Sequence, residues 1–182
     1  VYPCDVALPN VSSLNFGNDV SVPNAVIVPM SASGDVCFHV RGRADLIVDV
    51  NGWFSVGGSF SKITPQRIAD TRSGIGVVRA RVGALNGGGT PLQVPVLNVA
   101  GVPATGVDAV SINVTATGTR ANAFGGYVTV YPCGTVPDAS TLNFTTGQTV
   151  PNAAIARVSG NGTVCIMVYG EADVIVDVVG AG

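Results

Sequence analysis

The chain has 182 residues, of which only 11% are charged, and a formal net charge of -2. So few cations, with no basic run, exclude a nucleic-acid surface, whose affinity depends on Lys and Arg neutralising phosphates, and no apolar run reaches the roughly 20 residues of a membrane span. Gly (24 residues) and β-branched side chains abound while helix formers are scarce, with Lys62 the sole lysine and Glu171 the sole glutamate, so the composition predicts strands and turns.

In chain order, a strand end at Tyr2 and Pro3 precedes a loop at Pro9 and Asn10, and Ser12 to Phe16 has strand composition. The opening Val-Tyr-Pro-Cys lacks the charged and apolar regions of a signal peptide, so any such segment is expected to have been removed or to lie outside this sequence. After the polar turn GNDVS, Val22 to Pro29 reads as strand. Residues 31–35, SASGD, read as a hairpin turn in which Gly34 supplies a positive φ. Val36 to Val40 and Ala44 to Val50 follow as strands. In the second, alternation puts Leu46, Val48 and Val50 on a core face and Asp45, Ile47 and Asp49 on a polar one.

Trp53 and Phe54 precede a Gly- and Ser-rich linker, residues 55–61. Residues 62–73, KITPQRIADTRS, begin a new pattern. A Gly-rich loop then leads to a strand at Leu92 to Val99, which Pro95 marks as an edge, and Asp108 to Thr117 alternates cleanly. About eight strands and no convincing helix fall between Ile63 and Val179, the pattern of an antiparallel sandwich or barrel.

Val130 to Gly180 repeats Val1 to Gly52, with more than half of the aligned positions identical. Cys4 aligns with Cys133 and Cys37 with Cys165. Three disulfide pairings are open in principle, and two copies of one unit most simply pair within themselves, Cys4 to Cys37 and Cys133 to Cys165. Such bridges imply an oxidising, extracellular setting and each contributes about 3 to 4 kcal/mol in the chain-entropy picture. Free thiols are the competing reading, and zinc is disfavoured because no CxxC spacing or His partner accompanies the cysteines.

The strings PQRIADTR, GVPATGVDAVSINVTATG, GYVTVYP, STLNFTTGQTVPNAAIARV and ADVIVDVVG stand in this order over residues 63–180. In that order they resemble an all-β module that recurs in tandem in large secreted and cell-surface proteins of actinobacteria and other environmental bacteria. The resemblance implies an extracellular repeat without catalytic residues of its own. Two features depart from the family: the cysteines are not a hallmark of it, and its closing aromatic pair, present as Trp53 and Phe54, is replaced by Ala181 and Gly182. The second departure is read as a chain cut, or ending, at a module boundary.

With the repeated unit called A and residues 53–129 called B, the family's module is B followed by A, whereas this chain reads A, B, A. The expected fold is therefore an antiparallel β-sandwich, jelly-roll-like, over residues 62–182, preceded by the C-terminal half of a module over residues 1–54. Either the sequence is a window on a longer B–A–B–A array, or the first A docks on a sheet edge of the complete module or of a neighbouring chain.

Among candidate sites, His39 is the single histidine and its repeat counterpart is Met167, so no duplicated catalytic or metal site uses it. Asp70, flanked by Arg67 and Arg72, is expected to point the same way along a strand as Arg72 and to form a structural, bidentate ion pair stapling the entry strand to the core, with a ligand-binding arginine as the sharper alternative. Asp45, Asp49, Asp173 and Asp177 offer oxygens for calcium, but residues four apart on a strand are about 13 Å apart, and hydrogen bonding to neighbouring loops is the expectation. The Asn15-Phe16, Pro23-Asn24, Asn143-Phe144 and Pro151-Asn152 pairs read as turn formers, or as a polar groove for glycan in which Asn24 and Asn152 contact sugar and Tyr2 or Tyr131 stacks on it. The sequon at Asn113 and the glycines at 87–89 carry no site. The leading expectation is a non-enzymatic extracellular structural repeat of a fibre, stalk or surface array, without cofactor or metal, self-associating through β edges. The alternative is a carbohydrate- or cell-wall-binding accessory module of a larger secreted enzyme.

Overall fold

The computed structural model describes residues 1–8, 13–14, 16–18, 20–50, 52–54, 60–87 and 89–182. The loop at Pro9 and Asn10, Ser12, Asn15, Asp19, most of the expected linker (55–59) and Gly88 lie outside the described residues. Two compact units are present, Val1–Val50 and Asn51–Gly182. Both are all-β.

The larger unit is an antiparallel, sandwich-like fold of eight strands, β3 (Ser61–Asp70), β4 (Val82–Ala84), β5 (Leu92–Pro95), β6 (Ala109–Arg120), β7 (Gly126–Tyr131), β8 (Leu142–Phe144), β9 (Val150–Arg157) and β10 (Thr163–Ala181). β10, 19 residues long, is its spine. Its N-terminal part pairs with β5 on one side and β7 on the other, and its C-terminal part with β3 and β6, while β4 joins it at Tyr169–Ala172. β8 extends β7 and β9 extends β6. β5, placed at an edge by Pro95, ladders with β10 over four residues, where the sequence pattern had extended the strand to Val99.

Period-2 alternation explains the core. Val110, Ile112, Val114 and Ala116 of β6 and Val174, Val176 and Val178 of β10 are all 0% exposed, and Leu142, Val128 and Ile166 join them. The opposite face of β10 is less polar than the alternation of Asp173, Ile175 and Asp177 implies, because Ile175 is only 7% exposed. Register shifts near Gly170 bend β10. Gly170 has φ 96°, and a Cβ there would lie 2.7 Å from the Arg120 carbonyl oxygen, so the bend requires glycine.

The smaller unit carries the same sequence pattern into a different outcome. Among its described residues the strands are β1 (Tyr2–Pro3) and β2 (Val36–Cys37), in one two-stranded sheet. What recurs from the larger unit is local. Tyr2 pairs with Cys37 as Tyr131 does with Cys165. The 31–35 turn repeats the 159–163 turn bond for bond, with Ser31 N–H donating to the Asp35 carbonyl and Gly34 N–H to the Ser31 carbonyl, both at 3.0 Å. Gly34 has the φ of 87° that its turn position predicts. Asn24 Nδ2 donates to the Ser13 carbonyl at 2.7 Å, as Asn152 Nδ2 does to Thr141 at 2.6 Å.

The expected strands Val22–Pro29 and Ala44–Val50 are not strands. The reason lies in the larger unit, where the matching segments β9 and β10 take their ladders almost wholly from strands of residues 61–131. The one ladder joining two stretches of the repeat, at Tyr131 and Val130 of β7, is the one whose start survives as β1 and β2. Without those partners Leu46 is 54% exposed, Val48 55% and Val50 84%, against zero for Val174, Val176 and Val178. The repeat thus tests one sequence in two settings. Val176→Ala is expected to destabilise the larger unit by about 2 to 3 kcal/mol and Val48→Ala to change stability by less than about 0.5 kcal/mol. Urea unfolding of the two variants measures both, and equal effects would show that the two copies share one packing.

Candidate functional site

The densest group of charges sits where β3 ends against β10. Asp70 is the last residue of β3, and the chain turns at once, with the Asp70 carbonyl accepting from Ser73, Gly74 and Ile75 N–H and the Asp70 N–H donating to the Ile75 carbonyl. The turn swings Arg72 back over its neighbour, so the pair forms across a turn and not along one strand face. Arg72 Nε donates to Asp70 Oδ1 at 3.0 Å and Nη2 to Oδ2 at 2.7 Å, with the Arg72 backbone N–H also reaching Oδ1 at 3.0 Å. Arg67 Nη1 adds a fourth donor, to Oδ2 at 3.4 Å.

Arg67 bridges outward as well, its Nε donating to Asp177 Oδ1 at 2.9 Å. Thr71, 1% exposed, clamps β10 with both its atoms: its N–H donates to the Val174 carbonyl, its hydroxyl accepts from Val174 N–H and donates to Asp173 Oδ1 at 3.2 Å. Arg81 completes the group, 3.8 Å from Asp173 and donating to the Gly118 carbonyl at 2.6 Å. Asp173 and Asp177 are therefore bound to neighbouring side chains, and the described residues hold no group of three or more His, Cys, Asp or Glu side chains able to hold a metal ion.

The electrostatics follow from this geometry. Asp70 is 3% exposed, yet its carboxyl is held down at about 2 from an ordinary 3.8, first by the Arg72 hydrogen bonds and against the desolvation that burial imposes. Four donors occupy its two oxygens, so it has no lone pair in reserve for a substrate proton or a cation. The cluster is a staple that fixes the start of the larger unit to its spine.

The remaining candidates separate. Cys4 joins Cys37 and Cys133 joins Cys165, with Cα atoms 5.0 and 4.9 Å apart, beside equivalent strand pairs. His39 is exposed. The glycan groove is not assembled as expected. Tyr131 is 2% exposed, and burial raises its hydroxyl pKa, so the ring has no face on which a sugar could stack. The amides of Asn24 and Asn152 are donated to backbone carbonyls, while Tyr2 is half-buried. Sequence reading passed over Thr71 and Arg81. The legible signal for Thr71 was its place between Asp70 and Arg72, and Arg81 had none.

Two disulfides within an all-β chain are compatible with an extracellular domain, and no described helix is long and apolar enough to cross a membrane. Compared with protein-family models, with curated proteins and with solved structures, the chain gives no match in any of the three.

Because the folded Asp70 pKa lies below its unfolded value, its contribution is present above about pH 4 and is lost as pH falls toward 2. The native chain is expected to lose about 2 kcal/mol more than Asp70→Asn between pH 6 and pH 2. Urea midpoints at the two pH values read this out. A native-minus-variant difference that stays constant with pH would remove Asp70 from the staple.

Proposed function

We propose that the chain is a non-enzymatic structural repeat of an extracellular array, and that the smaller unit is the half of a module awaiting its complement. The observation that carries this reading is the contrast between the two copies. Segments that are 0% exposed in one copy, such as Val176 and Val178, stand 55% and 84% exposed at Val48 and Val50 in the other. Covering Val26, Ile27, Leu46, Val48 and Val50 would contribute on the order of 5 kcal/mol, at roughly 1 kcal/mol for each side chain moved from half-exposed to buried.

Such a surface fits strand addition, in which backbone ladders supply affinity and alternate side chains supply specificity. The tandem cell-surface module that the sequence resembles supports the same reading. In it, a B-type stretch from a neighbouring module would complete residues 1–54, and a series of such contacts would extend into a fibre, stalk or surface layer. The internally paired charges at Asp70 favour architecture over chemistry.

Arg41 and Arg43 are both exposed in the smaller unit. Trypsin is expected to cleave the purified chain there before it cuts the larger unit, and cleavage at both sites should be at least tenfold slower in material extracted intact from the outside of the producing cells. Equal cleavage rates in the two preparations, or recovery of the protein as single chains from the reducing cell interior, would overturn the proposal.

A further inference from the structure

The pairing seen in the larger unit specifies what the smaller one accepts. There β6 lies between β9 and β10. Val110, Ile112 and Val114 stand opposite Ala156, Ala154 and Asn152 of β9, while Ile112, Val114 and Ala116 stand opposite Val178, Val176 and Val174 of β10. In the first copy, β9 and the adjoining part of β10 correspond to Val22–Pro29 and Ala44–Val50. These segments retain the apolar alternation and lack the strand between them.

The differences between the copies are as informative as the identities. Asp45 and Asp49 keep the charges of Asp173 and Asp177, which take Arg81, Thr71 and Arg67 in the larger unit. Arg43, by contrast, stands where Glu171 stands, and Glu171 pairs with Arg120 at the end of β6 at 3.2 Å. Seating β6 of this chain against the first copy would put Arg43 beside Arg120. Val26 and Val28 replace Ala154 and Ala156, which are 6% and 3% exposed opposite Ile112 and Val110, so the same strand would also be overpacked. The first copy is thus matched to a strand of the β6 kind and mismatched to β6 itself.

Resting on the reading of the smaller unit as a half-module, we propose that Val22–Pro29 and Ala44–Val50 receive between them an extended, alternating β-branched strand from a B-type stretch whose residue opposite Arg43 is a carboxylate. Its source is another module or another polypeptide, because this chain's own β6 carries Arg120 and is already paired on both sides. Asp45 and Asp49 call for cations on the partner segment that covers the other edge of Ala44–Val50, as Arg67 does for Asp177. The array is in this way given an order, since like charges disfavour the wrong neighbour.

The test uses the full 182-residue chain. The probes are three end-capped peptides: residues 107–121 with Val110→Ala and Ile112→Val, which relieve the overpacking against Val28 and Val26, the same peptide with Arg120→Glu added, and a scrambled form of the second. Hydrogen exchange is followed at Val22–Pro29 and Ala44–Val50. The Glu peptide should slow exchange in both segments and bind about fivefold more tightly than the Arg peptide at low salt, and Arg43→Glu should reverse that preference. Because Arg43 is exposed, the variant keeps its fold. Absence of protection by either natural-order peptide, or protection by the scrambled one, overturns the strand site. Protection without a preference that Arg43→Glu reverses overturns the acidic partner while leaving the half-module reading intact, and that reading falls separately if trypsin cleaves both preparations equally.

Discussion

The two-sided pairing of β10 is the constraint on which the larger unit depends. A strand of 19 residues cannot pair its own backbone groups, and its ladders come from β3, β4 and β5 on one side and β6 and β7 on the other. Burial of Val174, Val176 and Val178 follows from that sandwiching, because a β-branched residue is covered only when neighbours flank it on the pleated surface. Their counterparts in the first copy, Leu46, Val48 and Val50, keep the apolar alternation and remain uncovered. Propensity proposes a strand, and non-local partners make one.

The charged staple at Asp70 serves this arrangement. β3 meets β10 through a ladder interrupted by register shifts, where backbone bonds alone hold the strand less regularly. Thr71 and the arginines bridge that stretch with side-chain bonds to Asp173, Val174 and Asp177. A buried carboxylate with four donors would be costly to leave unpaired, so once the turn forms, its partners are held in place. Six of the 20 charged residues of the chain, Arg67, Asp70, Arg72, Arg81, Asp173 and Asp177, meet at this joint between elements.

Much of the fold was legible from residues alone, and the illegible part has a physical cause. Alternation in Asp108–Thr117 marked a central strand, Pro95 marked an edge and Gly34 a tight turn, because each signal acts within a few residues. The strands expected at Val22–Pro29 and Ala44–Val50 required partners that no local pattern reveals. Asp70 with Arg67 and Arg72 was readable as a cluster, though the turn that joins Asp70 to Arg72 was not. The stacking surface assigned to Tyr131 could not be judged without knowing that β7 and β10 bury the ring. Arg81 lies in a loop whose path no periodicity describes.

The placement of the disulfides carries a mechanical consequence. Each bridge joins two points of the same repeat copy, 33 and 32 residues apart, and neither ties a repeat to the intervening stretch. Tension applied along the chain therefore bypasses both loops, and each withholds about 110 Å of contour length at roughly 3.4 Å per extended residue. The load falls on the ladders between β10 and residues 61–131, which no disulfide crosses within the loaded stretch and which hydrogen bonds, ion pairs and apolar packing hold. A polypeptide built this way would give length under force by peeling those ladders, and would recover its shape from corners that never opened.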